Sequence, residues 1–325
     1  MSFTGEEFKN VGTQGMNAYA APSLFQPHKA RQAIRDAHAK KIPPLMCYYA
    51  GLSSLPITRF LAPMGYDAVW IDWEHTSCNV ETMTSMVHEA IFMSQGRTIP
   101  WVRVPGHDHA AIGYALDCGA SIVVPQVETV EQAKHVLSAA KYGTKQNGTR
   151  SAPPFRLIPF LTDTPYDPNS DIHKCVNNQA AVMIQIETAE GVRNLDAILT
   201  ECPDIDVVWL GSLDARVSMN LPANMGGPQD EPEWLEIKKL FFETIDKHDK
   251  PYAGFAFSSP PYGSPEALKE AAKRMSLITM SADVLHLGMM AMDLQQARAT
   301  VGPVGQENGT NGKKKENGEN GENGK

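Results

Sequence analysis

No stretch of this 325-residue chain is apolar for long enough to cross a bilayer, which takes about 20 residues of helix. No basic stripe is present either, and a formal net charge of −8 is unsuited to gripping a nucleic-acid backbone. Lys313, Lys314 and Lys315 do not alter this, because Glu307, Glu316, Glu319 and Glu322 offset them. Cysteine is sparse: Cys47, Cys78, Cys118, Cys175 and Cys202 are an odd number at scattered spacings, with no C-x-x-C pair and no apolar leader ahead of them. That pattern belongs to a reducing, cytoplasmic compartment rather than to secretion. The sequons at Asn147 and Asn308 carry no argument, since three-residue patterns arise by chance.

What the chain does have is 42% hydrophobic residues, enough to bury one large core, and a regular alternation of patterns. Short apolar runs near 44–50, 68–74, 99–104, 121–127, 181–187, 207–212, 251–257 and 284–289 read as strands. Amphipathic stretches separate them at 54–64, 80–94, 109–116, 130–141, 189–199, 233–247 and 265–275, with 290–300 after the last strand and a helix within 23–41 before the first. The runs are rich in β-branched residues and continuous, as strands buried on both faces are. Eight such strands alternating with helices predict an α/β fold of the (β/α)₈ TIM-barrel type with an N-terminal helix. The expected organisation is a flexible segment at 1–22, a catalytic barrel over 23–303, and a disordered tail over 304–325. That tail is a Glu-Asn-Gly repeat with almost nothing apolar to offset ordering entropy. Two connections, 142–180 and 220–232, are longer than ordinary loops and either shape the site or form a subunit contact.

The strand ends carry the chemistry. Glu187 closes the run from Ala181, and Asp214 follows the run from Val207. In a parallel barrel the carboxyl ends of the strands share one face, so these two acids converge. With no Cys or His beside them, they suit a hard divalent ion: Mg²⁺, or Mn²⁺ or Co²⁺ in its place. Arg103, at the end of the third strand, faces the mouth with Trp101, and a guanidinium there needs an anion. It either clamps a substrate carboxylate through two parallel hydrogen bonds or forms a structural pair with an aspartate at the rim. Asp72 and His75, three apart where the second strand turns over, form an expected carboxylate–imidazole dyad for proton transfer. Trp70 is an expected substrate contact.

With these residues in view, the chain resembles the HpcH/HpaI class II pyruvate aldolases, and most closely their oxaloacetate-decarboxylating members. The resemblance rests on Asp67 to His75, Trp101 to Pro105, Leu116 to Ala120, Gln185 to Thr188 with Asn194 and Leu195, and Gly211 to Asp214, in that order. It spans about residues 43 to 295. It implies metal ligation by Glu187 and Asp214, an acid–base dyad at Asp72 and His75, and a substrate-binding arginine at Arg103. It further implies that Asp117 completes the active site of a neighbouring subunit, within a homo-oligomer that is commonly a hexamer built as a trimer of dimers. Many relatives carry Gly-Pro-Ala-Asp around the second ligand, where Ser212 and Leu213 replace the middle pair here; the resemblance implies substrate contacts at Ser212 and Leu213, with the backbone groups that contact pyruvate expected to be shifted.

The implied reaction is that of a lyase on 2-oxo acids: oxaloacetate loses CO₂, or an aldol is cleaved, to give pyruvate enolate beside the metal, which is then protonated or added to an acceptor. Glu74 either hydrogen-bonds a water on the metal or is a plain rim acid. A Schiff-base aldolase would need a desolvated lysine at a strand end, whereas Lys134, Lys141, Lys145 and Lys174 fall in helix or loop patterns. A CoA-thioester lyase on the same barrel, and a catalytically silent barrel acting as a scaffold, are the alternatives. Nucleic acid and membrane partners are not expected.

Overall fold

The computed structural model describes residues 15–302 apart from 22, 24, 144, 146, 155, 166 and 224–228. The tail expected at 304–325 and most of the segment expected at 1–22 lie outside the described residues. Of the latter, Met16 and Tyr19 are buried, and Tyr19 Oη donates to Asp36 Oδ2 at 3.0 Å.

Eight strands, β1 (Leu45–Ala50), β2 (Ala68–Asp72), β3 (Ile99–Arg103), β4 (Ser121–Val124), β5 (Val182–Ile186), β6 (Val207–Leu210), β7 (Tyr252–Phe255) and β8 (Met275–Ala282), close into a parallel barrel in chain order. Each strand feeds at least one helix. These are α2 (Leu55–Leu61), α3 (Val80–Met93), α4 (His109–Asp117), α5 (Val130–Ala140) and α6 (Ile172–Gln179), then α7 (Ala189–Glu201), α8 (Ser212–Ser218), α9 (Pro232–Lys247), α10 (Pro265–Arg274) and α11 (Asp283–Gly288). α1 (Ala30–His38) precedes the first strand. The chain forms two compact units, Met1–Val284, which holds the barrel, and Leu285–Lys325, which contributes α12 (Met290–Val301). No helix of the described residues is long and apolar enough to cross a membrane.

Strand alternation sorts the apolar side chains into two cores. Ile71, Val102, Ile122, Ile184 and Val208 point outward and pack under the helices with Met83, Ile112, Val136 and Leu195. Cys47, Trp70, Trp101, Met183, Trp209 and Leu277 point inward. That inner core continues into Ala30, Ala33, Ile34 and Ala37 of α1, where three alanines let the helix seat closely against one end of the barrel. The buried Arg31 fastens it: Nε donates to Asp206 Oδ1 at 2.7 Å and Nη2 to Asp204 Oδ1 at 3.2 Å, just ahead of β6. The amino-terminal end of the barrel is therefore plugged, and access is through the carboxyl end.

Helix caps fix the connections at that open end. Asp108 Oδ1 accepts the N–H groups of Ala110 and Ala111 at the start of α4. Thr129 and Gln132 form a reciprocal capping box on α5, and Thr188 Oγ1 accepts Gly191 N–H at the start of α7.

The eighth strand corrects the expectation drawn from sequence. The run 284–289 is not a strand; β8 is Met275–Ala282, and α11 begins at Asp283. Ser276 and Thr279 are wholly buried, and Thr279 pairs in register with Cys47 of β1. Buried polar residues made the true strand look less apolar than the leucine-rich segment after it. Three short helices were also absent from the sequence pattern: α6 within the connection 142–180, α11 mostly within the run 284–289, and α8 mostly in the unassigned stretch between the strand at 207–212 and the connection at 220–232.

Candidate active site

Asp72 and Arg103 are direct register partners across β2 and β3. Their side chains meet in a bidentate pair, with Nε to Oδ1 at 2.9 Å and Nη2 to Oδ2 at 2.7 Å. Tyr49 Oη also donates to Asp72 Oδ2 and accepts from Arg103 Nη2 at 3.1 Å. Burial alone would raise the Asp72 carboxyl, but hydrogen bonds and charge from Arg103 outweigh it and hold the group below the usual carboxylate range. Beneath the guanidinium lies an aromatic floor. The Trp70 ring is 5.5 Å from Arg103 Cζ and the Tyr49 ring 5.9 Å, while Trp70 and Trp209 meet edge to face at 4.6 Å. Trp70 is 2% exposed, so it supports Arg103 from below and does not open onto the mouth, unlike the substrate contact expected of it.

Two further expectations change here. The Asp72 carboxylate meets His75 only through the main chain, accepting its N–H at 3.4 Å and that of Glu74 at 3.0 Å. The His75 imidazole is exposed, and its Nε2 lies 3.5 Å from Glu74 Oε2. The residue beside the histidine, rather than the one three before it, is its carboxylate neighbour, because Asp72 is already committed to Arg103 and Tyr49. For the same reason Arg103 cannot clamp a substrate carboxylate through its Nε/Nη2 edge, since that edge is filled. The structural Arg–Asp pair, the other reading of Arg103, is the arrangement formed, and it leaves Nη1 without a protein hydrogen-bond partner among the described residues.

Opposite this pair, Glu187 stands one residue beyond β5 and is 4% exposed. Its Oε2 accepts Gln126 N–H at 2.9 Å and its Oε1 accepts Gln185 Nε2 at 3.1 Å. Gln126 donates from a left-handed backbone (φ +51°), a conformation that costs a non-glycine residue about 1 kcal/mol or more and is retained where neighbours enforce it. Asp214 does not end a strand, as expected from sequence. It lies exposed in the first turn of α8, beside Ser212 and Leu213, whose N–H groups have no intrahelical partner at that position. Gly211 joins β6 to α8 with no room for a side chain: a Cβ there would stand 2.6 Å from Glu187 Cγ and Oε1. Burial, then the charges of Asp214 and Glu74, push the Glu187 carboxyl up to about 7. Glu74 is raised as well, by burial first, despite Arg103 and His75. Its Oε2 lies 3.2 Å from Arg103 Nε, yet makes no well-aligned hydrogen bond.

The site thus gathers four carboxylates, those of Asp72, Glu74, Glu187 and Asp214, round one guanidinium that is neutralised by the first of them. Such an excess of negative oxygen fits a hard divalent cation. No group of three or more His, Cys, Asp or Glu side chains is close enough to share a metal among the described residues. A donor set of two carboxylates, Glu187 and Asp214, is what Mg²⁺ commonly takes from a protein when water and substrate oxygens fill the remaining positions.

Asp117 is the one expected site residue that the fold keeps apart. α4 leaves β3 at the open end of the barrel and runs about 13 Å to the other end, where Asp117 is its last residue. There Arg150 Nη2 donates to Asp117 Oδ1 at 2.7 Å, with the buried guanidinium stacked over Tyr142. Sequence reasoning missed Tyr49, Gln126 and Gln185. Gln185 was findable, since alternation puts it on the same face as Glu187; its Oε1 is buried without a hydrogen-bond partner. Gln126 acts through its main chain, which no side-chain pattern announces.

A family model described as HpcH/HpaI aldolase/citrate lyase matches residues 45–235. The chain is 30% identical over 180 residues to 2-keto-3-deoxy-L-rhamnonate aldolase of Salmonella gallinarum, covering 53% of this chain and 61% of that protein. It is 31% identical over 191 residues to 4-hydroxy-2-oxo-heptane-1,7-dioate aldolase of Shigella sonnei, covering 57% of this chain and 68% of that one. The matched region thus spans about three fifths of the first relative's length. Among solved structures, macrophomate synthase superposes with a TM-score of 0.77 at 31% identity, over 87% of this chain and 93% of that one.

Proposed function

From the HpcH/HpaI aldolase/citrate lyase family, to which this chain belongs, we infer a carbon–carbon lyase that acts on 2-oxo acids at the open end of the barrel. The observation that carries the reading is the set of carboxylates around Glu187, unmatched by positive charge, beside an arginine with one donor edge still free. Glu187 and Asp214 would hold a divalent ion, which supplies Lewis-acid stabilisation of enolate charge when bound. Ser212 and Leu213 offer main-chain N–H groups to the carboxylate of the 2-oxo acid. Arg103 directs Nη1 at oxygen that becomes negative as the bond breaks, and its fixed pose, set by Asp72 and Tyr49, means no reorganisation is needed at that moment. His75, exposed at the rim and next to Glu74, gives or takes the proton. The buried aromatic floor keeps water from beneath the reacting carbons.

The test is decarboxylation of oxaloacetate in the presence of Mg²⁺, Mn²⁺ or Co²⁺. CO₂ release that is lost on chelation and regained on adding metal is the expected result. A rate indifferent to metal, or no release with any of the three, would sink the reading. Gly211→Ala supplies a steric check. Its backbone is open to alanine, so the whole effect must come from the displaced Glu187 side chain, and a loss of roughly 10²-fold in kcat is expected. Unchanged kcat would mean that Glu187 need not sit where it does.

The place of Asp117 supports a site completed by a second copy of the chain, in a homo-oligomer. Asp117→Ala is then expected to lose most activity, and mixing it with Glu187→Gln protein to restore part of it through hybrid sites. Subunit exchange is followed separately by native mass spectrometry. Exchange without any recovery would confine Asp117 to its own subunit.

A further inference from the structure

Next to the site, between the connection from β3 to α4 and that from β4 to α5, lies a cavity of 360 Å³ lined among others by Glu74, His107, Asp108, Gln126, Glu128 and Gln132. Glu74 and Gln126 belong to both places: the first neighbours Arg103 and His75, and the second donates to Glu187. The cavity therefore adjoins the place where a substrate at Glu187 would lie. At liquid-like volume there is room for roughly ten non-hydrogen atoms, a chain of a few carbons with its oxygens.

The walls are held in place. Asp108 Oδ1 is taken by the cap of α4, and Glu128 accepts from Thr188 Oγ1. Gln132 Oε1 accepts the N–H groups of Glu128 and Thr129 at 2.8 and 3.1 Å, and His107 Nε2 donates to the Pro125 carbonyl at 2.7 Å. Each of these groups keeps one polar face: the second oxygens of Asp108 and Glu128, the NH₂ of Gln132 and Nδ1 of His107. The first two are acceptors only, so they call for a donor such as a hydroxyl, and a hydroxyl–carboxylate bond is short and charge-assisted. Three carboxylates line the cavity, and no lysine or arginine is among its lining residues. A carboxylate entering would meet like charge on the lining.

We propose that this cavity is the subsite for the part of the substrate beyond the broken bond, and that it selects neutral, hydroxylated aldehydes over aldehydes bearing a second carboxylate. The inference rests on the lyase reading above. In the synthetic direction the methyl carbon of pyruvate loses a proton and bonds to the aldehyde carbon, while the aldehyde oxygen gains a proton; atoms balance with no further reactant. Glyceraldehyde, with three carbons and two hydroxyls, and succinic semialdehyde, with four carbons and a terminal carboxylate, are suitable probes because they differ in both hydroxylation and charge.

Wild-type protein with Mg²⁺ and pyruvate is expected to favour glyceraldehyde by about 10²-fold in kcat/KM. Glu128→Gln and Asp108→Asn keep the hydrogen bonds to Thr188 and to the α4 cap while removing charge. Each is expected to raise kcat/KM for succinic semialdehyde roughly tenfold, and the pair more, with oxaloacetate decarboxylation unchanged because it places nothing in the cavity. Preference for succinic semialdehyde, or discrimination that the two variants leave unaltered, would overturn the subsite while the lyase reading stands. Decarboxylation without addition to either aldehyde would overturn it too. Absence of both reactions would overturn the lyase reading and the subsite with it.

Discussion

Glu187→Gln is expected to abolish binding of divalent ions and turnover together, while raising the melting temperature of the metal-free protein at pH 8. The two effects have one origin. A carboxyl whose pKa is moved from 4.5 to about 7 by burial and by Asp214 is costly to ionise in the folded state, by up to about 3 kcal/mol. Because the folded value lies above the unfolded one, the contribution to stability is fully present below pH 4.5 and is lost as pH rises through about 7. Wild-type protein without metal should therefore melt at lower temperature at pH 8 than at pH 5 by more than the variant does. Glutamine accepts the Gln126 N–H as glutamate does but carries no charge. Calorimetric titration with Mg²⁺ gives the binding half of the test and scanning calorimetry at the two pH values the other. A variant that binds Mg²⁺ like the wild type would remove Glu187 from the metal site. A variant that melts lower at pH 8 would mean that its hydrogen bond to Gln185 outweighs the charge.

Arg103→Met should act in the opposite sense, costing stability and activity at once. The side chain is of similar length and packs on Trp70, but it leaves the Asp72 carboxylate, 1% exposed, with only Tyr49 and two main-chain N–H groups. Breaking a buried ion pair from one side typically costs about 3–5 kcal/mol. In the wild type the folded pKa of Asp72 is depressed, so its stabilising contribution is present above the unfolded pKa and is lost as pH falls through the folded one. The variant loses that contribution and retains the burial penalty, so the gap between the two proteins should be widest at neutral and alkaline pH and should narrow below about pH 5. Adding Asp72→Asn to Arg103→Met should recover part of the stability and none of the activity, because the charge at the reacting oxygen is still missing. Loss of that charge is expected to lower kcat by about 10³-fold. An Arg103→Met protein as stable as the wild type at pH 8 would contradict the buried pair. Full activity would show that another group faces the oxyanion.

Much of this was legible in the linear chain because the barrel is built from local signals. Parallel strands buried on both faces are short, continuous and β-branched, as in Val182 to Ile186, and capped helices begin at Asn79, Asp108, Thr129 and Thr188. Closure follows from repetition, and closure brings the strand ends together. The strand pattern therefore places Glu187, Asp214, Arg103 and the Asp72 region on one face. The eighth strand escaped because Ser276, Thr279 and Ser281 break up its apolar residues, and side-chain hydropathy favours the unbroken leucine-rich segment that follows.

Partner choice was beyond the reach of sequence. Asp72 lies three residues from His75 and thirty-one from Arg103, and proximity along the chain favoured the histidine. Register across β2 and β3 decided for the arginine, since a buried carboxylate is held by whichever cation the sheet places opposite it. The same holds for the cradle of Glu187, made from a main-chain N–H at Gln126 and the missing side chain of Gly211. Sequence by itself determined the barrel and which residues reach its open end, because periodicity is a property of neighbours in the chain. Tertiary structure alone decided which of those charges neutralise one another and which are left for a ligand, because Coulomb energy depends on distance in space and on burial, and neither is written in sequence separation.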